Sequence, residues 1–304
     1  KPDFLSIGPY DQGGCTCPDC RPWGGRGFLR MVRHLAPLFK CHSPGGKITL
    51  VTWLFDHEHH RFKGDWEGLA RDGEADCAEV DYILAGTHEQ GLPDYLRDHP
   101  VPGHRPLLGF PEISMRGRFP WGGFGANPMP AFLAQYWREW GERVVGGFPY
   151  SEGLYEDINK AIMARLYWDN QSPERTVREY AAYEFGAAAV EPVARVVCRL
   201  EAHQKRVWEG GDFVFPHTRL ILAPDQGACQ ALRELQAVEA QLPRGIRESW
   251  RWQILSWRTR IDAELYASGG ALTPDCEAGF EALTAWYHAE RADFSASLRT
   301  SSAT

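Results

Sequence analysis

The first half of the chain alternates short apolar runs with loops rich in glycine and proline. The runs are short and largely apolar, which is typical of strands buried on both faces of a parallel sheet. They occupy residues 4–7, 48–55, 82–85, 106–110 and 144–148. Helical patterns lie between several of them, as at residues 27–39 and 130–140. This alternation predicts an α/β fold with a parallel sheet.

The second half carries apolar residues at helical spacing instead. One helix is predicted to begin at Ser172, a capping residue followed by proline in the first turn, and to end at Gly186. A long apolar stripe over residues 246–265 predicts another helix. We therefore expect an α/β portion in residues 1–171 and an all-α helical bundle domain in residues 172–304.

Polar residues directly follow several of the predicted strands, and such strand ends carry the chemistry of a (β/α)8 TIM barrel. Only four or five strands are visible in the pattern, whereas a complete barrel has eight. The pattern alone leaves two interpretations, an open doubly wound sheet or the later part of a barrel.

Composition and charge narrow the class of protein. The 304 residues are 43% hydrophobic and 24% charged, which is a globular composition. A net charge of −7 argues against a nucleic-acid partner, and no apolar run is long enough to span a membrane. The N-terminal residues lack the pattern of a signal peptide, and the cysteine usage fits a reducing compartment, so we expect a cytoplasmic protein. The sequence leaves the oligomeric state open, a homo-oligomer included.

Three of the eight cysteines form a tight group, Cys15-x-Cys17-x-x-Cys20. Three thiols this close can wrap one soft cation, and a tetrahedral zinc ion needs a fourth ligand. Cys41 and His42 are the candidates for it. The cluster predicts a structural zinc ion, with free thiols or one local disulfide as the alternative. No metal is expected to take part in catalysis.

Carboxylates follow three predicted strands. Asp11 lies in the run from Gly8 to Gly14, where glycines let the backbone approach a ligand closely. Asp56 follows the strand predicted at residues 48–55 and is a candidate for substrate contact. Glu112 is a lone acid among apolar residues, and burying such a group is costly unless it is paired or functional. The structural alternatives are a turn cap for Asp11, a polar loop for Asp56 and pairing with a nearby arginine for Glu112.

Further candidates lie at the other strand ends. His88 and Glu89 follow the third predicted strand, and Glu152 lies at the junction of the two halves, where it could hydrogen-bond a sugar hydroxyl. Solvated loops are the alternative for these positions. The sequence has no Gly-x-Gly-x-x-Gly run after a strand, no Walker loop and no Gly-x-Ser-x-Gly. No motif therefore supports a nucleotide-binding enzyme or a serine hydrolase.

One stretch of the chain resembles a known family. The run from Asn159 to Asp169, Asn-Lys-Ala-Ile-Met-Ala-Arg-Leu-Tyr-Trp-Asp, is similar to the Asn-x-Tyr-Ala-x-Gly-Arg-Leu-Ala-Trp-Asp run of family 67 α-glucuronidases. The following Ser-Pro-Glu helix that ends in Phe185-Gly186 is also similar, and residues 28–55 look like that family's helix and next strand. The three-cysteine run lies outside the family's pattern but looks like motifs in uncharacterised sugar-hydrolase-like proteins.

The resemblance implies the later part of a (β/α)8 TIM barrel followed by a C-terminal helical domain, with earlier strands missing from this chain. It implies a glycoside hydrolase acting on an oligo- or polysaccharide, including one that contains uronic acid. Asp11 lies where the family has its general acid, a Glu, and Glu112 lies where it has one carboxylate of its basic pair. The loop holding His88 and Glu89 offers no clear match for the second base.

Glycoside hydrolysis needs one protonated and one ionised carboxyl group across the scissile bond. We expect Asp11 to act as the acid and Glu112 as the base, with inversion implied by the resemblance. Trp53, Trp121 and Tyr150 are expected to stack on sugar rings. The alternatives are a non-catalytic carbohydrate-binding protein and a zinc-stabilised scaffold on a degenerate or truncated barrel.

Overall fold

The computed structural model describes residues 1–11, 13–57, 63–76, 78–86, 91–113, 127–151, 157–204, 207–208 and 220–287. The chain divides into two compact units. The first comprises Lys1–Glu112 and Tyr136–Tyr150, and the second comprises Ile113–Gln135 and Ser151–Thr304. The sequence boundary at residue 171 differs from this division, because residues 113–135 and 151–171 belong to the second unit.

The first unit is built on a parallel five-stranded sheet. Its strands are β1 (Phe4–Ile7), β2 (Lys47–Val51), β3 (Tyr82–Gly86), β4 (Leu107–Phe110) and β5 (Gly146–Gly147). The helices between them are α1 (Phe28–His42), α2 (Asp65–Asp76), α3 (Asp94–Asp98) and α4 (Pro130–Trp140), and the boundary between the units falls within α4. The parallel α/β prediction is therefore confirmed.

The strands follow one another across the sheet in chain order. A doubly wound sheet reverses its strand order at a switch point, so this order does not fit that alternative. Among the described residues β1 pairs with β2 and β5 pairs with β4, and the two outer strands do not pair with each other. The described sheet is therefore open, and a closed barrel is not confirmed.

Register assigns the strand residues to two faces, because side chains alternate along each strand. Ile7, Leu50, Ile83 and Leu107 form one row across four strands, and all four are buried. The opposite face carries Phe4 from β1 and Tyr82 from β3, and alternation past the end of β5 places Phe148 on the same face. These four positions of one face are thus closed to solvent, and the other face is partly open and aromatic.

The sheet is strongly curved toward its aromatic face. The Phe4 ring lies 6.2 Å from the Tyr82 ring and 6.4 Å from the Phe148 ring. Neighbouring strands are spaced by about 4.8 Å, so a flat sheet would separate β1 and β5 by about 19 Å. Phenylalanine side chains are too short to span that distance. Phe4 and Phe148 nevertheless remain 47% and 44% exposed.

Two strands are shorter than predicted. The run at residues 48–55 ends as a strand at Val51, and a turn follows in which the Phe55 N–H donates to the Thr52 carbonyl oxygen at 3.1 Å and Leu54 has a φ of 65°. Apolar side chains continue past the strand because Phe55 packs against the Phe28 and Trp66 rings. The strand expected at residues 144–148 is reduced to the two residues of β5.

The second unit is mainly helical, as the spacing predicts. Its helices are α5 (Asp157–Asp169), α6 (Pro173–Phe185), α7 (Val190–Ala202), α8 (Ala228–Glu239), α9 (Arg244–Arg247), α10 (Trp250–Ala267) and α11 (Pro274–Tyr287). The short strands β6 (Val207–Trp208) and β7 (Leu220–Ile221) pair antiparallel and were not predicted. Within the part of the chain that the structure describes, no helix combines the length and the apolar character needed to cross a membrane.

The observed ends of two helices show where local sequence signals are enough to predict a helix limit and where they are not. Ser172 Oγ accepts a hydrogen bond from the Arg175 N–H at 3.3 Å, and Gly186 ends α6 with a φ of 88°, as predicted. The predicted continuous stripe over residues 246–265 is interrupted, because Ser249 caps the start of α10. The stripe is therefore shared between α9 and α10.

Candidate functional site

The parallel sheet brings the ends of its strands to one edge, which we call the carboxyl edge. Tyr10 and Asp11 follow β1, Trp53 follows β2, Glu112 follows β4 and Tyr150 follows β5. In open α/β sheets and in barrels, ligands bind at this edge. Five described candidates of the sequence analysis therefore belong to one side of the first unit: Asp11, Trp53, Asp56, Glu112 and Tyr150.

Glu112 is a buried carboxyl group at the end of β4, with 7% of the residue exposed. It forms an isolated parallel bridge with Tyr150, whose N–H donates to the Pro111 carbonyl oxygen at 2.8 Å. The bridge continues the ladder between β4 and β5 beyond the regular strands. The backbone of Glu112 is therefore held by the sheet rather than by a free loop.

Three aromatic rings form a row along the carboxyl edge. The Trp53 and Phe110 rings lie 5.9 Å apart in an edge-to-face arrangement, and the Phe110 and Tyr150 rings lie 5.6 Å apart. Tyr150 is 36% exposed, and Trp53 is half-buried. The row connects the end of β2 with the ends of β4 and β5, and it presents aromatic surface next to the backbone of Glu112.

A cleft of about 840 Å³ opens where β2 and β3 end. This volume lies within the range of small-molecule sites, about 300–1,000 Å³. Trp53 lines it and so links the cleft with the aromatic row. Other lining residues come from the segments that follow the two strands, among them Asp56, His57, Lys63, Trp66, Tyr95 and His99.

Stacked rings form one wall of the cleft. The Trp66 and Tyr95 rings are nearly parallel with centroids 5.7 Å apart, and the His99 ring stacks on Tyr95 at 4.4 Å. Burial, together with the nearby Glu67, raises the pKa of the Tyr95 hydroxyl. Sequence analysis missed this column, although the i, i+4 spacing of Tyr95 and His99 at a short helix was a signal for it.

Asp56 has a structural role in the wall of the cleft. One carboxylate oxygen accepts the Asp65 N–H at 3.0 Å, and the other accepts the Trp66 N–H at 3.1 Å, so Asp56 caps the start of α2. Lys63 Nζ donates to the Asp56 carbonyl oxygen at 2.7 Å. A substrate hydroxyl would have to share oxygens that already hold the helix.

Asp11 lies on an exposed turn. The Gly13 N–H donates to the Tyr10 carbonyl oxygen at 2.7 Å, and Gly13 has a φ of 76°. The Asp11 side chain makes no hydrogen bond or ion pair with another described residue. The sequence alternative, an Asp side chain that caps this turn, is therefore not observed.

The three clustered cysteines come together as predicted. The Sγ atoms of Cys15, Cys17 and Cys20 all lie within 4.8 Å of one another, so the cluster could hold a metal ion. Cys41 is not part of the group. It lies in the last turn of α1, about 20 Å along the helix from the first turn. Neither Cys41 nor His42 completes the site, because α1 carries both away from the segment that precedes it.

Asp65 is a buried acid that the sequence analysis did not single out. Its carboxylate accepts the Trp23 N–H at 2.6 Å and Arg21 Nη1 at 2.8 Å. It joins the segment after the cysteines to the first residue of α2. No local sequence pattern could predict this contact, because the partners are more than 40 residues apart in the sequence.

Four predicted site residues lie outside the described part of the chain, namely His88, Glu89, Trp121 and Glu152. Comparison with family models, with curated proteins and with solved structures found no match for this chain.

Proposed function

We propose that the first unit belongs to a glycoside hydrolase that cleaves an oligo- or polysaccharide, including one with uronic acid, by carboxylate acid–base chemistry. The observation that carries the proposal is the buried Glu112 at the carboxyl edge, beside the aromatic row of Trp53, Phe110 and Tyr150. Aromatic rings offer apolar faces to sugars, and a carboxyl group supplies the proton chemistry. The cleft reached through Trp53 has room for a ligand.

The proposed fold is the later part of a (β/α)8 TIM barrel followed by the helical domain. The chain-order arrangement of five parallel strands and the curvature between β1 and β5 support it. In this architecture the strands that would close the barrel lie beyond the five described ones. The resemblance of residues 156–186 to family 67 α-glucuronidases agrees with the same architecture.

In the proposed mechanism Glu112 is the base and Asp11 is the acid. A base held by strand ladder bonds keeps its position while water attacks, which avoids part of the entropic cost of the reaction. The acid must keep its proton near neutral pH, and this requires a desolvated environment. Asp11 is exposed, so the proposal requires bound substrate to cover it. Inversion follows from the resemblance and predicts a product of opposite anomeric configuration.

The test is the Glu112→Gln variant assayed on chromogenic aryl glycosides and on uronic-acid-containing oligosaccharides. Loss of an acid–base group typically lowers the rate by about 10²–10⁴-fold. We expect that loss with an unchanged circular dichroism spectrum. Glu142→Gln is the matched control, because Glu142 is exposed in the same unit, and its rate should equal that of the wild type.

A second candidate function is carbohydrate binding without turnover. The exposed Asp11 favours it, because its carboxylate makes no hydrogen bond or ion pair with another described residue that would tune it for acid catalysis. Saccharide binding by the wild-type protein with no hydrolysis of any tested glycoside would support this alternative. A rate that is equal in the wild type and in Glu112→Gln would remove Glu112 from the mechanism.

A third candidate is a scaffold stabilised by a structural zinc ion. The cluster of Cys15, Cys17 and Cys20 favours it. Zinc suits thiolate ligands, and its binding energy stabilises the fold that positions them. Metal analysis of the purified chain tests this role, and stoichiometric zinc is the expected result.

A further inference from the structure

The segment between β1 and α1 contains a cluster of three cysteine thiols that has no role in the proposed hydrolase mechanism. The three Sγ atoms of Cys15, Cys17 and Cys20 lie within 4.8 Å of one another. In a tetrahedral site with zinc–sulfur bonds of about 2.3 Å, neighbouring sulfurs lie about 3.8 Å apart. Movements on the order of 1 Å would therefore bring all three sulfurs to one ion.

Backbone hydrogen bonds shape the cluster independently of any metal. The N–H groups of Cys20 and Arg21 both donate to the Cys17 carbonyl oxygen at 3.1 Å, which places Cys17 and Cys20 on one tight turn. Trp23 Nε1 donates to the Cys15 carbonyl oxygen at 2.8 Å. The turn is therefore preorganised, and a cation that binds it has less chain entropy to overcome.

Two arginines bring positive charge to the same turn. Arg26 Nη1 donates to the Pro18 carbonyl oxygen at 3.1 Å, and Arg30 Nη2 donates to the Asp19 carbonyl oxygen at 3.3 Å. A divalent ion with three thiolates carries one net negative charge. The two guanidinium groups offset that charge and tie the turn to the start of α1.

The turn is anchored on its other side to α2. Asp65 accepts hydrogen bonds from the Trp23 N–H and from Arg21. Gly24 permits this approach, because a Cβ atom there would lie 2.0 Å from the Asp65 carbonyl oxygen. A metal ion on the three thiols would therefore stabilise a segment that is fixed to both α1 and α2.

We propose that Cys15, Cys17 and Cys20 bind one soft d10 cation of the zinc class as three thiolates, with the fourth coordination position open to a small ligand from solvent. Thiolates select such ions. Among the described residues, no other cysteine, histidine, aspartate or glutamate joins the three thiols, and Cys41 lies at the far end of α1. The site lies outside the hydrolase proposal and rests on the zinc-scaffold candidate, for which it specifies the ligands and the fourth position, and its test does not depend on turnover.

The test uses the reduced full chain, stripped with a chelator and titrated with Cd²⁺ as the probe. We expect one bound ion per chain, measured by native mass spectrometry, and an ultraviolet thiolate-to-cadmium charge-transfer band. Cys15→Ala, Cys17→Ala and Cys20→Ala should each weaken binding at least 10-fold. Cys41→Ala and Cys229→Ala are the matched controls and should bind as the wild type does.

Substitution with Co²⁺ tests whether the fourth coordination position is open to a small ligand. The Co²⁺-loaded protein should show a tetrahedral visible spectrum that shifts when 2-mercaptoethanol is added, because the small thiol replaces a solvent ligand. A spectrum that does not respond to the added thiol would contradict the open position. The whole site would be overturned by a disulfide between two of the three cysteines in the purified chain, by binding below one ion per chain, or by loss of the ion in Cys41→Ala.

Deuterium exchange measures the anchoring on α2. Bound Cd²⁺ should slow exchange at the Trp23 and Trp66 amides, and it should leave α6 (Pro173–Phe185) of the second unit unchanged. Equal exchange with and without Cd²⁺ at Trp23 would contradict the stabilising effect of the ion.

Discussion

At the residue scale, one buried amide shows how a single side chain can hold several backbone segments in place. Asn159 is fully buried in the second unit, and its Oδ1 accepts the Met129 N–H at 2.9 Å. Its Nδ2 donates to the carbonyl oxygens of Ile113 at 3.0 Å and Asn127 at 2.8 Å. The side chain thus ties together two pieces of backbone that lie far from it in the sequence.

Replacing this amide should leave three buried backbone groups without their partner. We expect Asn159→Ala to lower the free energy of unfolding by about 3 kcal/mol, because each unsatisfied buried group costs about 1–3 kcal/mol. Urea denaturation of the variant and of the wild type measures this loss in the free energy of unfolding. Gln241→Ala is the control, since Gln241 makes one exposed hydrogen bond to the Ala237 carbonyl oxygen. A similar small effect for both variants would contradict the structural role of Asn159.

Residue types revealed candidates, but their tasks depend on partners that are distant in sequence. Asp56 was placed correctly after a strand, yet its oxygens cap α2. Cys15, Cys17 and Cys20 could be grouped from spacing alone, because a local turn assembles them. Cys41 could not be excluded in the same way, since its distance depends on the full length of α1.

At the element scale, apolar runs located the strands, and caps located some helix ends. α4 was predicted at its observed limits, and α6 begins after Ser172 as its capping pattern indicates. The end of β2 was wrong, because Phe55 is buried outside the sheet and so extends the apolar run. Periodicity alone cannot distinguish burial in a sheet from burial beneath a loop.

An ion pair links the start of β2 with the residue before β3. Asp81 accepts Lys47 Nζ at 2.8 Å and the Ile48 N–H at 2.9 Å. Burial works to raise the pKa of Asp81, but the hydrogen bonds from Lys47 and Ile48 outweigh it and hold this pKa below its ordinary value. The ionised carboxylate therefore stabilises the folded chain.

Asp81→Asn should lower the free energy of unfolding near pH 7 by about 1 kcal/mol, a modest value because Lys47 is half exposed. A lowered pKa gives stability that is present above the unfolded value of about 3.9 and is lost as the pH falls through the folded pKa. The difference between variant and wild type should therefore shrink below about pH 4. Urea titrations between pH 7 and pH 3 measure this trend, with the exposed Asp94→Asn as the control. A difference that does not change with pH would contradict the ionic origin.

At the scale of the whole molecule, curvature links the fold to the proposed function. The sequence pattern left the strand order open, and only register and ring contacts show that β1 and β5 turn their aromatic side chains toward one another. The sequence could not reveal this, because a two-residue period assigns alternate faces without saying which face is concave. The aromatic row at the carboxyl edge follows from the same geometry.

If the carboxyl edge of the first unit binds saccharides, aromatic side chains elsewhere on the surface should not matter. Trp53 joins the cleft to the row that ends at Tyr150, whereas Trp168 in the second unit is 88% exposed. We expect Trp53→Ala to weaken oligosaccharide binding by about 10-fold, which corresponds to about 1.4 kcal/mol of lost contact. Trp168→Ala should bind as the wild type does. Calorimetric titration with one oligosaccharide measures both variants, and equal losses would place recognition away from this edge.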